Sequence, residues 1–116
     1  MPDQTTLTGD MARVAADLLD ELALVGAVPH GALVYRNHVS LTYLEAADRR
    51  AGADALGLRY TSWGYGRAEQ CGFVATDHGS LGEVEVFVAS SPDVEDWRRR
   101  DEDAETAARA AAAVTS

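Results

Sequence analysis

The sequence contains no lysine and only one cysteine, Cys71. A single thiol excludes an intramolecular disulfide and any cysteine-based metal cluster within the chain, a usage that suits a reducing compartment. Every one of the 10 basic residues is arginine, and they face 19 acidic residues for a formal net charge of -9. Such a balance opposes docking on phosphate backbones, where a basic face must release counterions, so no direct nucleic acid binding and no membrane binding are expected. No apolar run approaches the roughly 20 residues that span a bilayer. The polar start MPDQTTLTGD lacks the charged-then-apolar order of a signal peptide, and the expected location is cytoplasmic.

Catalytic signatures are missing as well. HxH and HExxH patterns are absent, and the Gly-containing stretch GYGRAEQCG has neither the lysine nor the following helix that a phosphate loop requires. His30, His38 and His78 each sit beside a turn signal, and Asp77 next to His78 reads as a turn residue bonding its own backbone. Cys71 precedes a glycine at a strand start, where a half-buried thiol is the plain reading. Glu83 and Glu85 alternate on one strand face about 7 Å apart. That spacing resembles an acid-base pair, but a solvated strand face accounts for it. The sequence therefore points to no catalytic, cofactor or metal site.

What is present is a globular composition, 47% hydrophobic and 25% charged over 116 residues. This length suits one domain with a core of its own. Much of the apolar share is alanine, so the core is thin. The clearest pattern lies in CGFVATDHGSLGEVEVFVAS. Val84, Val86 and Val88 fall on one face of an extended chain and Glu83, Glu85 and Phe87 on the other, with Phe73 to Thr76 as partner strand across a turn.

Upstream, Met11, Val14, Ala15, Leu18, Leu19, Leu22 and Val25 recur at helical spacing, with Thr8 or Asp10 as cap and Gly26 with Pro29 as stop. Asp17, Asp20 and Glu21 occupy other positions around the helix, mostly away from the leucines of this stripe. ALVYRNHVSLTYL reads as a hairpin turning near Asn37. EAADRRAGADALGL reads as a second helix with Leu44, Ala47, Ala51, Ala55 and Leu56 inward, ending at Gly57. Arg59 to Tyr65 reads as a strand, and Arg67 to Gln70 as a loop. The predicted order is αββαβββα, an α+β fold with an antiparallel sheet of about five strands and helices packed on one face. Segment 1–8 is expected to be a flexible tail, 9–92 the domain, and 93–116 an acidic, then Ala-rich helix or tail that frays or projects.

Function is expected to lie in binding. Arg59, Trp63, Tyr65 and Arg67 combine the residue types in which interface energy concentrates, and Glu83, Glu85 and Phe87 form the wet face of the central strand. The first expectation is a small non-catalytic interaction or regulatory protein that binds a protein partner or itself as a homodimer. Two alternatives stand beside it. One is a ligand-binding domain or enzyme with His38, Trp63, Tyr65 and His78 around a pocket between sheet and helices; the other is an acidic mimic of DNA that occupies a nucleic-acid-binding protein.

Overall fold

A computed structural model describes residues 4–64, 66–79 and 81–115. The elements run α1 (Gln4–Leu24), β1 (Gly31–Val34), β2 (His38–Thr42), α2 (Ala46–Leu56), β3 (Tyr60–Gly64), β4 (Arg67–Ala75), β5 (Glu83–Ser90) and α3 (Val94–Thr115). This is the predicted α+β order. Residues 1–3 of the expected tail lie outside the described part, and the backbone is already helical from Gln4. An apolar stripe marks the buried part of a helix, and α1 continues ahead of it. Asp10 is therefore not a cap and instead pairs with Arg13 at 2.9 Å.

All five strands form one sheet in the order β1-β2-β5-β4-β3. The sheet is mixed, where a purely antiparallel one was expected: β2 and β5 run parallel, with Val39 opposite Val86 and Leu41 opposite Val88. The crossover through α2 carries the chain to the far edge, where β3 runs in the same direction as β2. The antiparallel steps β3 to β4 and β4 to β5 then lead back to the centre, and two reversals leave β5 parallel to β2.

Alternation decides what each strand buries. Val39 and Leu41 of β2 and Val84, Val86 and Val88 of β5 are buried under Met11, Val14, Leu18 and Leu22 of α1 and under Ala53 and Leu58. The inward stripe of α2 is Ala46, Arg49, Gly52 and Ala53, displaced from the expected one: Ala47 and Ala51 are exposed, and so is Leu44 just ahead of the helix. The helix ends as its glycine suggests. Gly57 is left-handed at φ 71°, its N–H donates to Asp54 O, and the Leu58 N–H reaches Ala53 O at 2.9 Å. This reversal turns Leu58 back into the core.

Gly52 has a different purpose, because a Cβ there would collide with the Tyr43 hydroxyl. Tyr43 is buried with its hydroxyl donating to Ala27 O at 2.6 Å. Burial, with the Asp48 charge added, pushes its phenol up to about 12. The Arg67 to Gln70 stretch, expected as a loop, is the first half of β4. Its polar residues pair with β3 on one side and β5 on the other, so ladder hydrogen bonds outweigh the loop-like composition.

Candidate functional site

Because α1 and α2 cover the same face, the other face of the sheet carries no helix among the described residues. Alternation places one residue of each strand on a common transverse row there. Leu33 lies opposite Ser40, Ser40 opposite Phe87, Phe87 opposite Cys71, and Cys71 opposite Tyr60. A second row sets His38 beside Glu85 and Glu85 beside Phe73.

Several of these side chains are large, apolar and exposed: Tyr60 is 75% accessible, Phe73 63% and Leu33 57%. Tyr35 stacks on His38 with ring centroids 4.3 Å apart, and His38 meets the edge of Phe87 at 5.2 Å. Tyr35, His38 and Phe87 thus form one run of ring contacts. Carboxylates are interspersed, with Glu69 on β4 and Glu83 and Glu85 on β5. Arg67, at the end of β4, is the face's one arginine within the strands.

Burial and the carboxylates of Glu85 and Glu69 push the Cys71 thiol up, away from the nucleophilic thiolate. Among the described residues no group of three or more His, Cys, Asp or Glu side chains is placed to hold a metal ion.

A second polar assembly sits on the helix side, where the third helix begins. Arg49 of α2 and Asp96 of α3 form a pair at 2.7 Å with side chains only 4% and 5% exposed. Arg49 Nη1 also donates to Ser90 Oγ at 3.1 Å, and its Nε to Gln70 Oε1 at 3.4 Å. Arg50 binds Asp93 at 3.1 Å and Asp96 at 3.2 Å. Asp93 and Asp96 cap the start of α3 reciprocally, each carboxylate accepting the other's backbone N–H. Hydrogen bonds from Arg50 and from the Asp96 backbone hold the Asp93 carboxyl down at about 2. Burial alone would raise the Asp96 carboxyl, but hydrogen bonds from Arg49 and the Asp93 N–H, with the Arg49 charge, keep it below its ordinary range.

This assembly fastens only the beginning of α3. Trp97 packs on Trp63 at 5.3 Å, with the Arg100 guanidinium over both rings. From Arg98 to Ala113 every residue is exposed, so the helix projects as an arm. The radius of gyration, 16.7 Å, accordingly exceeds the roughly 13 Å of a compact chain of this length.

The residues singled out from sequence therefore fall into separate groups. Arg67, Glu83, Glu85 and Phe87 share the open sheet face. Trp63 is on the helix side against Trp97, because it lies opposite the buried Ala68. Arg59 lines a groove with Arg99 of α3, and Tyr65 lies outside the described residues. Of the four residues expected around a pocket between sheet and helices, Tyr65 lies outside the described residues and the other three are not brought together: His38 is on the open face, Trp63 is against Trp97, and His78 bonds Asp17 of α1 at 2.5 Å.

Sequence reasoning missed Leu33, Tyr35, Phe73 and Tyr60 as members of the open face. The parity of each strand was readable, but which strands lie adjacent was not. Arg49 was missed because a charged residue is normally assigned to the surface; a signal was its helical phase, three positions from both Ala46 and Gly52. No protein-family model, curated protein or solved structure matches the chain.

Proposed function

We propose that this chain is a non-catalytic interaction domain whose open sheet face binds a protein partner. The observation that carries the reading is the row Leu33, Ser40, Phe87, Cys71 and Tyr60, which crosses all five strands with no helix over it. Leu33, Phe73 and Tyr60 leave large apolar side chains exposed on this face, and exposed apolar surface rimmed by polar residues is the kind that interaction sites use.

Charge selects the kind of partner. Glu69, Glu83 and Glu85 stand among the apolar side chains, and the whole chain carries -9. A partner offering apolar or aromatic side chains with arginine or lysine around them complements this face, while a second copy would set carboxylates against carboxylates. The size is adequate. Five strands spaced about 4.8 Å apart, with roughly six residues of about 3.3 Å each, present on the order of 500 Å² in projection, which approaches what one side of a standard interface buries once surface relief is included.

Co-purification from the native host with wild-type protein and with Phe73→Glu/Glu85→Arg tests this. Both positions face outward, so folding should be unaffected. Loss of a stoichiometric partner in the variant supports the reading, and unchanged co-purification overturns it. Concentration-dependent dimerisation abolished by the same variant would identify the partner as a second copy.

A further inference from the structure

The two edges of the sheet differ. At β3, Arg59 precedes the strand and Trp63 is covered by Trp97 of α3. The edge strand β1, GALV, carries no charge, no proline and no bulge, the devices that usually keep an edge from pairing. The Tyr35 N–H donates to His38 O, so Tyr35, Leu33 and Gly31 direct their backbone groups at β2, and the intervening Ala32 and Val34 direct theirs outward. Among the described residues β2 is the one strand that pairs with β1. Outward N–H and C=O groups on an unprotected edge are complementary to another strand.

Apolar side chains surround this edge on both faces. Leu33 is 57% exposed on the open face, and Val34, opposite the buried Val39, is 42% exposed on the helix face. Leu24, Val25 and Val28, in the helix end and the connection that lead into β1, are 87%, 59% and 59% exposed. Side chains of this size, at roughly 100 Å² apiece, offer on the order of 500 Å² per copy, a large part of the roughly 800 Å² that one side of a standard interface buries. Between Glu21 and Arg36 there is no Asp, Glu or Arg, the longest such interval in a chain of net charge -9. Two copies that would set carboxylate against carboxylate on the open face can therefore meet at this edge without repulsion.

We propose that β1 pairs antiparallel with β1 of a second copy about a two-fold axis at Leu33. In this register each Ala32 lies opposite Val34 of the other copy, and the two exchange both of their outward N–H···O bonds. Leu33 meets Leu33 of the second copy in the non-hydrogen-bonded position, where facing side chains are closest. The two Arg36 fall at opposite ends of the new ladder, about 20 Å apart. Because the axis is perpendicular to the sheet, the contact is isologous and closed. Both open faces point the same way and stay free, so the dimer stands or falls independently of the partner proposed there.

Sedimentation equilibrium of the full chain up to about 200 µM tests this, and a species of twice 12.4 kDa should form with a Kd below about 100 µM. Leu33→Lys and Leu33→Glu each set like charges against one another at the axis, and each should weaken association at least about tenfold. An equimolar mixture of the two sets opposite charges there and should restore the dimer, which damage to the fold would not do. Phe73→Glu/Glu85→Arg, on the open face away from the axis, should dimerise as the wild type does. A wild type that stays monomeric to about 200 µM, a dimer indifferent to Leu33→Lys, a mixture that does not recover, or loss of the dimer in the open-face variant would each overturn the proposal.

Discussion

Replacing Asp96 by alanine should strip the buried Arg49 guanidinium of its carboxylate partner. Asp96 accepts from Arg49 Nη2 at 2.7 Å, from Arg49 Nη1 at 3.3 Å and from Arg50 at 3.2 Å. Without it, Arg49 retains two neutral partners, Ser90 and Gln70, at 3.1 and 3.4 Å. Breaking a buried pair in this way costs about 3–5 kcal/mol, chiefly because a charge stays behind in a poorly solvated place. The loss is a large part of the roughly 5–15 kcal/mol that holds a domain together, and it should lower Tm by at least about 10 °C.

Arg49→Met should cost less, since Asp96 then keeps Arg50 at 3.2 Å. Arg49→Met/Asp96→Leu, which removes both charges, should recover part of the Asp96→Ala loss. Guanidinium chloride unfolding of the three variants measures the ordering. Near-UV circular dichroism of the Trp63–Trp97 pair reports whether α3 stays docked. If α3 releases and lets water reach Arg49, the tryptophan signal falls before the global transition and the cost is limited to the docking energy of the helix. An Asp96→Ala protein within about 0.5 kcal/mol of wild type, with the tryptophan signal intact, would refute the idea that this pair fastens α3.

Acid should act on the same joint. Asp93 and Asp96 have folded values below those of an unfolded carboxylate, so their contribution is complete above about pH 4 and disappears as pH falls through the folded values. With Asp93 near 2, the Trp63–Trp97 dichroism should be lost between about pH 4 and pH 2, and Asp93→Asn should raise the midpoint of that loss. At Gly52, alanine forces Tyr43 from its place against α2 and from Ala27 O. Chemical denaturation should show a loss of about 1–3 kcal/mol, whereas Gly52→Ala combined with Tyr43→Phe, which removes the colliding hydroxyl, should lose less than the sum of the separate changes.

Much of the fold was legible because it is written in local periodicity. The 3.6-residue repeat of Met11, Val14, Leu18 and Leu22 and the two-residue repeat of Val84, Val86 and Val88 each identify an element and its buried side without reference to any other part of the chain. Gly57 likewise marks a helix end through its own backbone freedom. Charge and composition argue against phosphate backbones as ligands on the same local footing. The site was less legible. Phe87, Glu83 and Glu85 were assigned to the correct wet face, but Trp63 was grouped with them although its strand register turns it to the helices.

By itself, then, the sequence determined the kinds of elements, their order, the apolar side of each central strand and the acidity of the surface, since all of these follow from neighbours a few residues apart. Tertiary structure alone decided that β5 inserts beside β2 in parallel, that Leu33, Phe87, Cys71 and Tyr60 form one row, and that Arg49 is buried against Asp96 47 positions away. The reason is physical. Strand pairing and buried ion pairs bring together groups far apart in the chain, and their selection depends on the energy of the assembled sheet and core, which no local pattern contains.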